Sequence, residues 1–219
     1  LTVSRAFLNV FLMIVALAWL FPLLWALFNS FRDYSYTSQH GYFSFGGFTL
    51  DNFVNAWEQG GFTQSFLNSL IITALAVLFT LALSSCMAFV LARFSFKFNL
   101  AMLAFFVAAN LLPPQSLLVP VYRMFMWIPI PEFLSASGSL LDTHLGVIIV
   151  NTAFQTGFCT FVLANYMKAI PAEIYEAADV DGASVWSQFW TLTIPLCRTP
   201  LAALATLQTA WIYNEFFWA

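Results

Sequence analysis

The sequence predicts an all-α membrane protein, a polytopic bundle of transmembrane helices, and three observations carry that prediction. Charged residues are scarce, at 8% of the chain against roughly 25% in an ordinary soluble domain. They are also clustered, so that long stretches hold none. Within those stretches polar and apolar residues do not alternate, as they would in the strands of a membrane barrel. With 61% hydrophobic residues and a mean hydropathy of +0.83, 219 residues could not cover a soluble fold with charge. A net charge of −3 without a basic tract argues against nucleic acid as a partner and leaves lipid as the solvent.

The apolar gaps place the elements. No Asp, Glu, Lys or Arg stands between Arg5 and Arg32, Glu58 and Arg93, Lys97 and Arg123, or Asp142 and Lys168. Each gap exceeds the roughly 20 residues that a helix needs to cross the hydrocarbon core. A fifth run follows Arg198, interrupted by Glu215. The predicted spans are 7–29, 67–92, 100–125, 144–166 and 200–219, all in one transmembrane domain over 1–219. They are read as helices because lipid offers no partner for an unpaired backbone group. With the N-terminus cytoplasmic, Arg5, Arg93, Lys97, Lys168 and Arg198 lie inside, and only Arg32 and Arg123 lie outside. The positive-inside rule favours that orientation. Residues 33–66 and 126–143 are then external loops, 93–99 is a short internal turn, and 167–199 is the longest internal segment.

Sequence motifs for an enzyme are missing. His40 and His144 carry no metal-ligand spacing, and neither a G-x-S-x-G elbow nor a G-x-x-x-x-G-K-[ST] phosphate loop occurs. Cys86, Cys159 and Cys197 are widely separated and read as small buried apolar residues. If ATP powers this protein, another polypeptide supplies the ATPase; the chain itself is expected to hold no cofactor and no metal.

The internal segment carries more signals than a connection needs. Pro171 suits the first turn of a helix, and Glu173, Glu176 and Asp179 follow near the positive end of its dipole. Asp181-Gly182 reads as a terminator, because glycine accepts the left-handed C-cap conformation. Ser184 can cap a second helix over 185–193, ended by Pro195. Glu173, Glu176, Ala177 and Val180 share one face of the first helix, and Ala177 and Ala178 are small enough for another backbone to approach. These capping signals serve a mere linker as well as a docking hairpin.

Glu176-Ala177-Ala178, Gly182 and Leu192-Thr193-Ile194-Pro195 resemble the EAA motif, E-A-A-x(3)-G-x(9)-I-x-L-P, of inner-membrane permeases in binding-protein-dependent ABC importers. Leu192 and Ile194 are the two departures, both mild. Asp51-Asn52-Phe53 before Asn68-Ser69, Leu112-Pro113 with Pro120 and Tyr122, and Leu145-Gly146 are similar to the sugar-permease branch, of the maltose-type second permease. Tyr213-Asn214-Glu215-Phe216 resembles that branch's W-N-[DE]-[FY] segment, with Tyr for Trp. The resemblance implies a type I importer permease in the bacterial cytoplasmic (inner) membrane. Its implied partners are a second homologous permease, two ATP-binding subunits holding ATP and Mg, and an external solute-binding protein. The implied solutes are sugars or glycerophosphodiesters, and the 171–195 hairpin couples the spans to the ATPase through Glu173, Glu176, Ala177, Ala178, Gly182 and Pro195.

Polar residues inside the spans are the remaining candidates, since lipid makes them costly. Asn110, Gln115, Asn151, Gln155, Gln208, Asn214 and Glu215 either join helices to each other or line a translocation path. A self-sufficient secondary transporter is the rival reading; it would carry mid-membrane charges, which the first four runs lack. A membrane enzyme would need a converging catalytic cluster. Residue 1 is Leu, and the fifth run stops short of a full span, which predicts that the native chain completes this span and adds a sixth. Intact-mass spectrometry of the native subunit tests this, and a natural terminus at Ala219 would refute it.

Overall fold

The computed structural model describes residues 2–131, 135 and 137–218. Residues 132–134 and 136 of the predicted second external loop, and Ala219 at the end of the predicted fifth span, lie outside the described residues. The described chain is helical, with isolated bridges pairing Arg32 with Phe48 and Pro129 with Ser139. The helices are α1 (Thr2–Ser30), α2 (Tyr34–His40), α3 (Asp51–Gln59), α4 (Phe62–Arg93), α5 (Asn99–Asn110), α6 (Pro114–Trp127), α7 (His144–Lys168), α8 (Ala172–Val180) and α9 (Val185–Gln188). A π-helical segment, Phe189–Thr193, leads into α10 (Ile194–Leu196) and α11 (Arg198–Tyr213). The chain forms two compact units, 1–66 and 67–219.

In the first unit, α1 is apolar all round and exposed along its length, as a lipid-facing span must be. Pro22 sits inside it without ending it. The segment after α1, predicted as a plain loop, folds around one buried cation. Arg32 is 2% exposed and is wrapped by carbonyls rather than a carboxylate. Its guanidinium donates to Tyr42 O at 2.8 Å, Gly46 O at 3.2 Å and Gly41 O at 3.4 Å, and to Ser44 Oγ at 2.5 Å. Phe28 and Tyr36 present ring faces to it at 5.4 and 5.7 Å. Gly47 has to be glycine here: its φ is +71°, and a Cβ would meet the Tyr36 ring at 2.5 Å.

In the second unit, α7 is the central helix. Thr152, Thr156, Cys159, Leu163 and Met167 are buried along one side of it, and Gly146, Val150, Gly157, Thr160 and Ala164 are buried beside them. Small and β-branched residues let helices approach closely where lipid supplies no hydrophobic drive. On α4 the buried stripe is Thr73, Ala76, Thr80, Ser84, Ala88 and Leu91, spaced three and four apart. At Gly157 the approach of α5 is so close that a Cβ would meet Asn110 Nδ2 at 2.8 Å and Phe106 O at 3.2 Å.

Two predicted spans need correction. The span at 100–125 is a pair of helices, α5 and α6, bent by 99°. Pro114 pushes the residue before it out of helical space, and Pro113 accordingly sits at ψ 127°. Charge spacing reports where water ends and is blind to that backbone constraint. The span at 200–219 is the 16-residue α11, which starts at Arg198 and stops at Tyr213; at about 24 Å it is shorter than the hydrocarbon core. Three helices, Arg5–Ser30, Phe62–Arg93 and His144–Lys168, are individually long and apolar enough to cross, and the bent pair makes a fourth if counted as one. The described architecture is therefore an all-α polytopic membrane fold.

Replacing Arg32 with Ala should leave several partly buried carbonyls without a donor, at about 1.5–3 kcal/mol for each charged hydrogen bond. Residues 33–49 should then exchange amide hydrogens faster, while α7 keeps its protection. Hydrogen-exchange mass spectrometry checks both, and Arg32→Lys should fall between, since an ammonium cannot reach the same acceptors.

Candidate functional site

The hairpin of residues 171–195 is built by local rules. Pro171 precedes α8, and Glu173 lies in its first turn. At its end Gly182 adopts φ +75°, Ala183 N–H donates to Ala178 O at 2.9 Å, and Gly182 N–H donates to Asp179 O at 3.1 Å. That pair of bonds is the Schellman arrangement, which uses the last carbonyls of the helix. Ser184 then caps α9, its Oγ accepting from Ser187 N–H at 3.2 Å. The second helix departs from expectation. It does not end at Pro195 but widens into the π-helical segment Phe189–Thr193 and continues through α10, which contains Pro195. Proline cannot donate to the preceding turn, and the wider segment carries the chain past it still helical.

Glu173, Glu176, Ala177 and Gly182 are exposed on this hairpin, Ala178 is half-buried and Pro195 is exposed. Val180 is 88% exposed and Trp186 62%, so an acidic face stands beside bare apolar side chains. The inner face is closed by pairings that the sequence does not show. Asp179 accepts from Arg93 Nη2 at 2.7 Å on one carboxylate oxygen and from Gln188 Nε2 at 2.7 Å on the other. Gln188 is buried and also donates to Ala183 O at 3.0 Å. Arg93 lies 5.0 Å from the Tyr175 ring. Burial pushes the Tyr175 phenol above its ordinary range, and its hydroxyl pairs with Thr193 Oγ1 at 3.0 Å. Arg93 and Asp179 are 86 residues apart, and spacing within the sequence gives no sign of their pairing.

The polar span residues converge elsewhere, on a cavity of about 480 Å³ between α5, α6, α7 and α11. Asn110, Gln115, Asn151, Gln155, Gln208 and Glu215 line it, with Phe154, Phe158, Trp211, Phe217 and Trp218 as aromatic walls. Asn214 borders a neighbouring, more open cavity with Glu215 and Trp211. Side-chain length sorts these polar residues. Asn110, Asn151 and Asn214 each donate to the carbonyl four residues back, Phe106 O at 2.8 Å, Val147 O at 3.0 Å and Ala210 O at 2.6 Å. Each thereby spends one amide N–H on its own helix. Gln208 donates to Cys159 Sγ at 3.2 Å, and its Oε1 is buried without a partner among the described residues.

Glu215 turns out to be a local cap: its carboxylate accepts from Phe217 N–H at 2.6 Å and Trp218 N–H at 2.9 Å. Five amide side chains and an aromatic lining suit a neutral, polyhydroxylated guest. Amides supply donors and acceptors without the charge that would bind an ion.

Residues 81–219 match the family described as binding-protein-dependent transport system inner membrane component. A probable ABC transporter permease protein of Pyrococcus horikoshii is 31% identical over 209 residues, covering 94% of this chain and 72% of the relative. The diacetylchitobiose uptake system permease protein NgcG of Streptomyces coelicolor is 29% identical, covering 89% of this chain and 61% of its own. The melibiose/raffinose/stachyose import permease protein MelC of Bacillus subtilis is 30% identical, covering 78% and 59%. The chain thus spans roughly 60–70% of the length of these relatives.

Gly157→Ala tests the helix contact that shapes the cavity. The added methyl should push Asn110 aside and separate α5 from α7, at about 1–3 kcal/mol. The thermal midpoint in detergent should fall, whereas Ala153→Gly, at an exposed position one turn away on α7, should cost less.

Proposed function

Because the chain belongs to the family of binding-protein-dependent transport system inner membrane components, we propose that it is a sugar-class permease subunit of an ATP-driven importer. It forms half of the translocation pathway, and a second, homologous permease forms the other half. Two ATP-binding subunits, which hold the ATP and Mg, receive the 171–195 hairpin on the cytoplasmic side. An external solute-binding protein delivers the solute. The N-terminus is cytoplasmic, and no residue of this chain is catalytic.

One observation supports this reading above others: the capped hairpin and the amide-lined cavity share two helices. The hairpin joins the end of α7 to the start of α11, and both helices furnish walls of the cavity. Movement imposed on the hairpin is therefore carried along rigid helices to the guest. In this mechanism Glu173 and Glu176 meet cations of the ATPase, Ala177 and Ala178 admit its surface closely, and Gly182 fixes the angle of the turn. Pro195 keeps the exit from the hairpin short of one backbone donor. Gln115, Gln155 and Gln208 offer their amides to the solute, and Asn110 lines the same cavity beside them. Neutral amides and aromatic faces fit the sugars after which two relatives are named.

Gly182→Val tests the coupling role. A β-branched residue at that φ costs about 1–3 kcal/mol, although the space around it is open. Glu176→Ala removes a charge-assisted contact of about 1.5–3 kcal/mol. Both variants should insert normally yet recover less ATPase on co-purification, or hydrolyse ATP without moving solute. Gln155→Ala should keep the ATPase bound and lower uptake, with melibiose, raffinose and diacetylchitobiose as test solutes. Reconstituted alone, the chain should neither hydrolyse ATP nor move these sugars. Full transport by Gly182→Val with normal complex yield would reduce the hairpin to a linker.

A further inference from the structure

The hairpin is covalently continuous with α7 and α11 but not with α4, the 32-residue helix that ends at Arg93. Where α4 meets the hairpin, polar contact passes through the guanidinium of Arg93. It bonds Asp179 at 2.7 Å and lies over the Tyr175 ring at 5.0 Å, so it holds two successive turns of α8 at once. Asp179 in turn holds Gln188 on α9 with its second oxygen, so one carboxylate joins α4, α8 and α9. Phe89, one turn before Arg93, packs against Tyr175 at 6.4 Å and Phe189 at 5.3 Å.

We infer that Arg93 and Asp179 are positioning residues forming the link through which displacement of the hairpin is transmitted to α4. The inference rests on the proposal that an ATPase moves the hairpin. The pair is not there for folding. Its side chains are 25% and 53% exposed, and ion pairs so open to water contribute little stability. Its value is directional: the Nη2–Oδ2 bond to Asp179 and the guanidinium's place over the Tyr175 ring fix Arg93 at two points of α8 at once. The aromatic contact of Phe89 adds apolar packing to that polar link. Without Arg93 the hairpin would still move α7 and α11, and α4 would lag.

The test uses the assembled complex, with spin labels at exposed positions of the hairpin (Val180→Cys) and α4 (Leu83→Cys) in a Cys86→Ala background. Cys159 and Cys197 are fully buried. Distances are measured by pulsed electron resonance without nucleotide and after trapping with ATP and vanadate. With Arg93 present, the label-to-label distribution should be narrow and the same in both states, because hairpin and α4 move as one body. Arg93→Ala should widen it about twofold, with the thermal midpoint lowered by no more than about 3 °C. Arg93→Lys should restore part of the narrowness, and the reversed pair Arg93→Asp with Asp179→Arg should restore more than either single change.

An unchanged distribution in Arg93→Ala overturns the inference. So does equal widening of every variant together with loss of thermal stability, which would mean that the pair merely holds the fold. If the ATPase fails to co-purify with the unaltered chain, the proposed function falls instead, and the two failures are told apart.

Discussion

Lipid withholds hydrogen bonds, and that constraint governs the structure from the backbone outward. A peptide group in hydrocarbon has to find its partner within the protein, so each apolar run becomes helical. The same rule reaches the side chains. Asn110, Asn151, Thr156, Asn165, Thr206, Thr209 and Asn214 all donate to the carbonyl four residues earlier. These short polar side chains are thereby satisfied by the turn beneath them, whereas the buried hydroxyls of Thr80, Thr152 and Thr160 find no partner among the described residues. Glutamine, one methylene longer, reaches past its own turn. Gln115, Gln155 and Gln208 are consequently the residues whose amides remain for a neighbour or a guest, and all three line the same cavity.

Proline acts on the same backbone, and its effect depends on what stands beside it. Pro22 and Pro120 lie inside continuous helices, each removing one donor that the rest of the helix tolerates. Pro195 follows a π-helical segment, whose wider turn carries the chain past it. Pro113 and Pro114 together break the chain by 99° between α5 and α6, because the second constrains the first as well as itself. The bend frees Gln115 from the direction of α5 and lets α6 close one side of the cavity. A sequence reading by charge spacing saw one span here. Charge spacing carries no information about two adjacent backbone constraints.

Legibility followed locality. The fold class was plain from charge gaps, and the turn at Gly182 with its Ser184 cap was plain from residues three or four apart. Both the Schellman bonds and the cap fall where those residues lie. The Arg32 cage was hidden because carbonyls, which every residue carries, do the binding. Asp179 was visible only as a helix-dipole partner, and its tie to Arg93 depends on how α4 and α8 meet in space. Glu215, singled out as a carboxylate in an apolar run, spends both oxygens on the turn after α11. A charge in lipid demands a partner, but the sequence does not say whether that partner is a substrate, a neighbouring subunit or the adjacent backbone.

The two sites are joined by geometry that neither has alone. From Lys168 back to Gln155 along α7 is about 20 Å at 1.5 Å per residue, and from Arg198 forward to Gln208 along α11 is about 15 Å. The hairpin thus lies at one end of two levers, and cavity walls lie at the other. The levers are unequal in stiffness. Between the hairpin and α7 stand Ala169, Ile170 and Pro171, whereas the route to α11 runs through the π-helical segment Phe189–Thr193 and Cys197. A π-helical turn is a poorer rod than an α-helix, and such turns recur where function needs movement. Phe189 and Thr193 are nonetheless fully buried, with Thr193 held by Tyr175. Any give in that segment is therefore governed by α8, the helix bearing Glu173 and Glu176. On the proposed reading, engagement of α8 sets both the push on α7 and the compliance of the path to α11, so the cavity walls are driven from one surface.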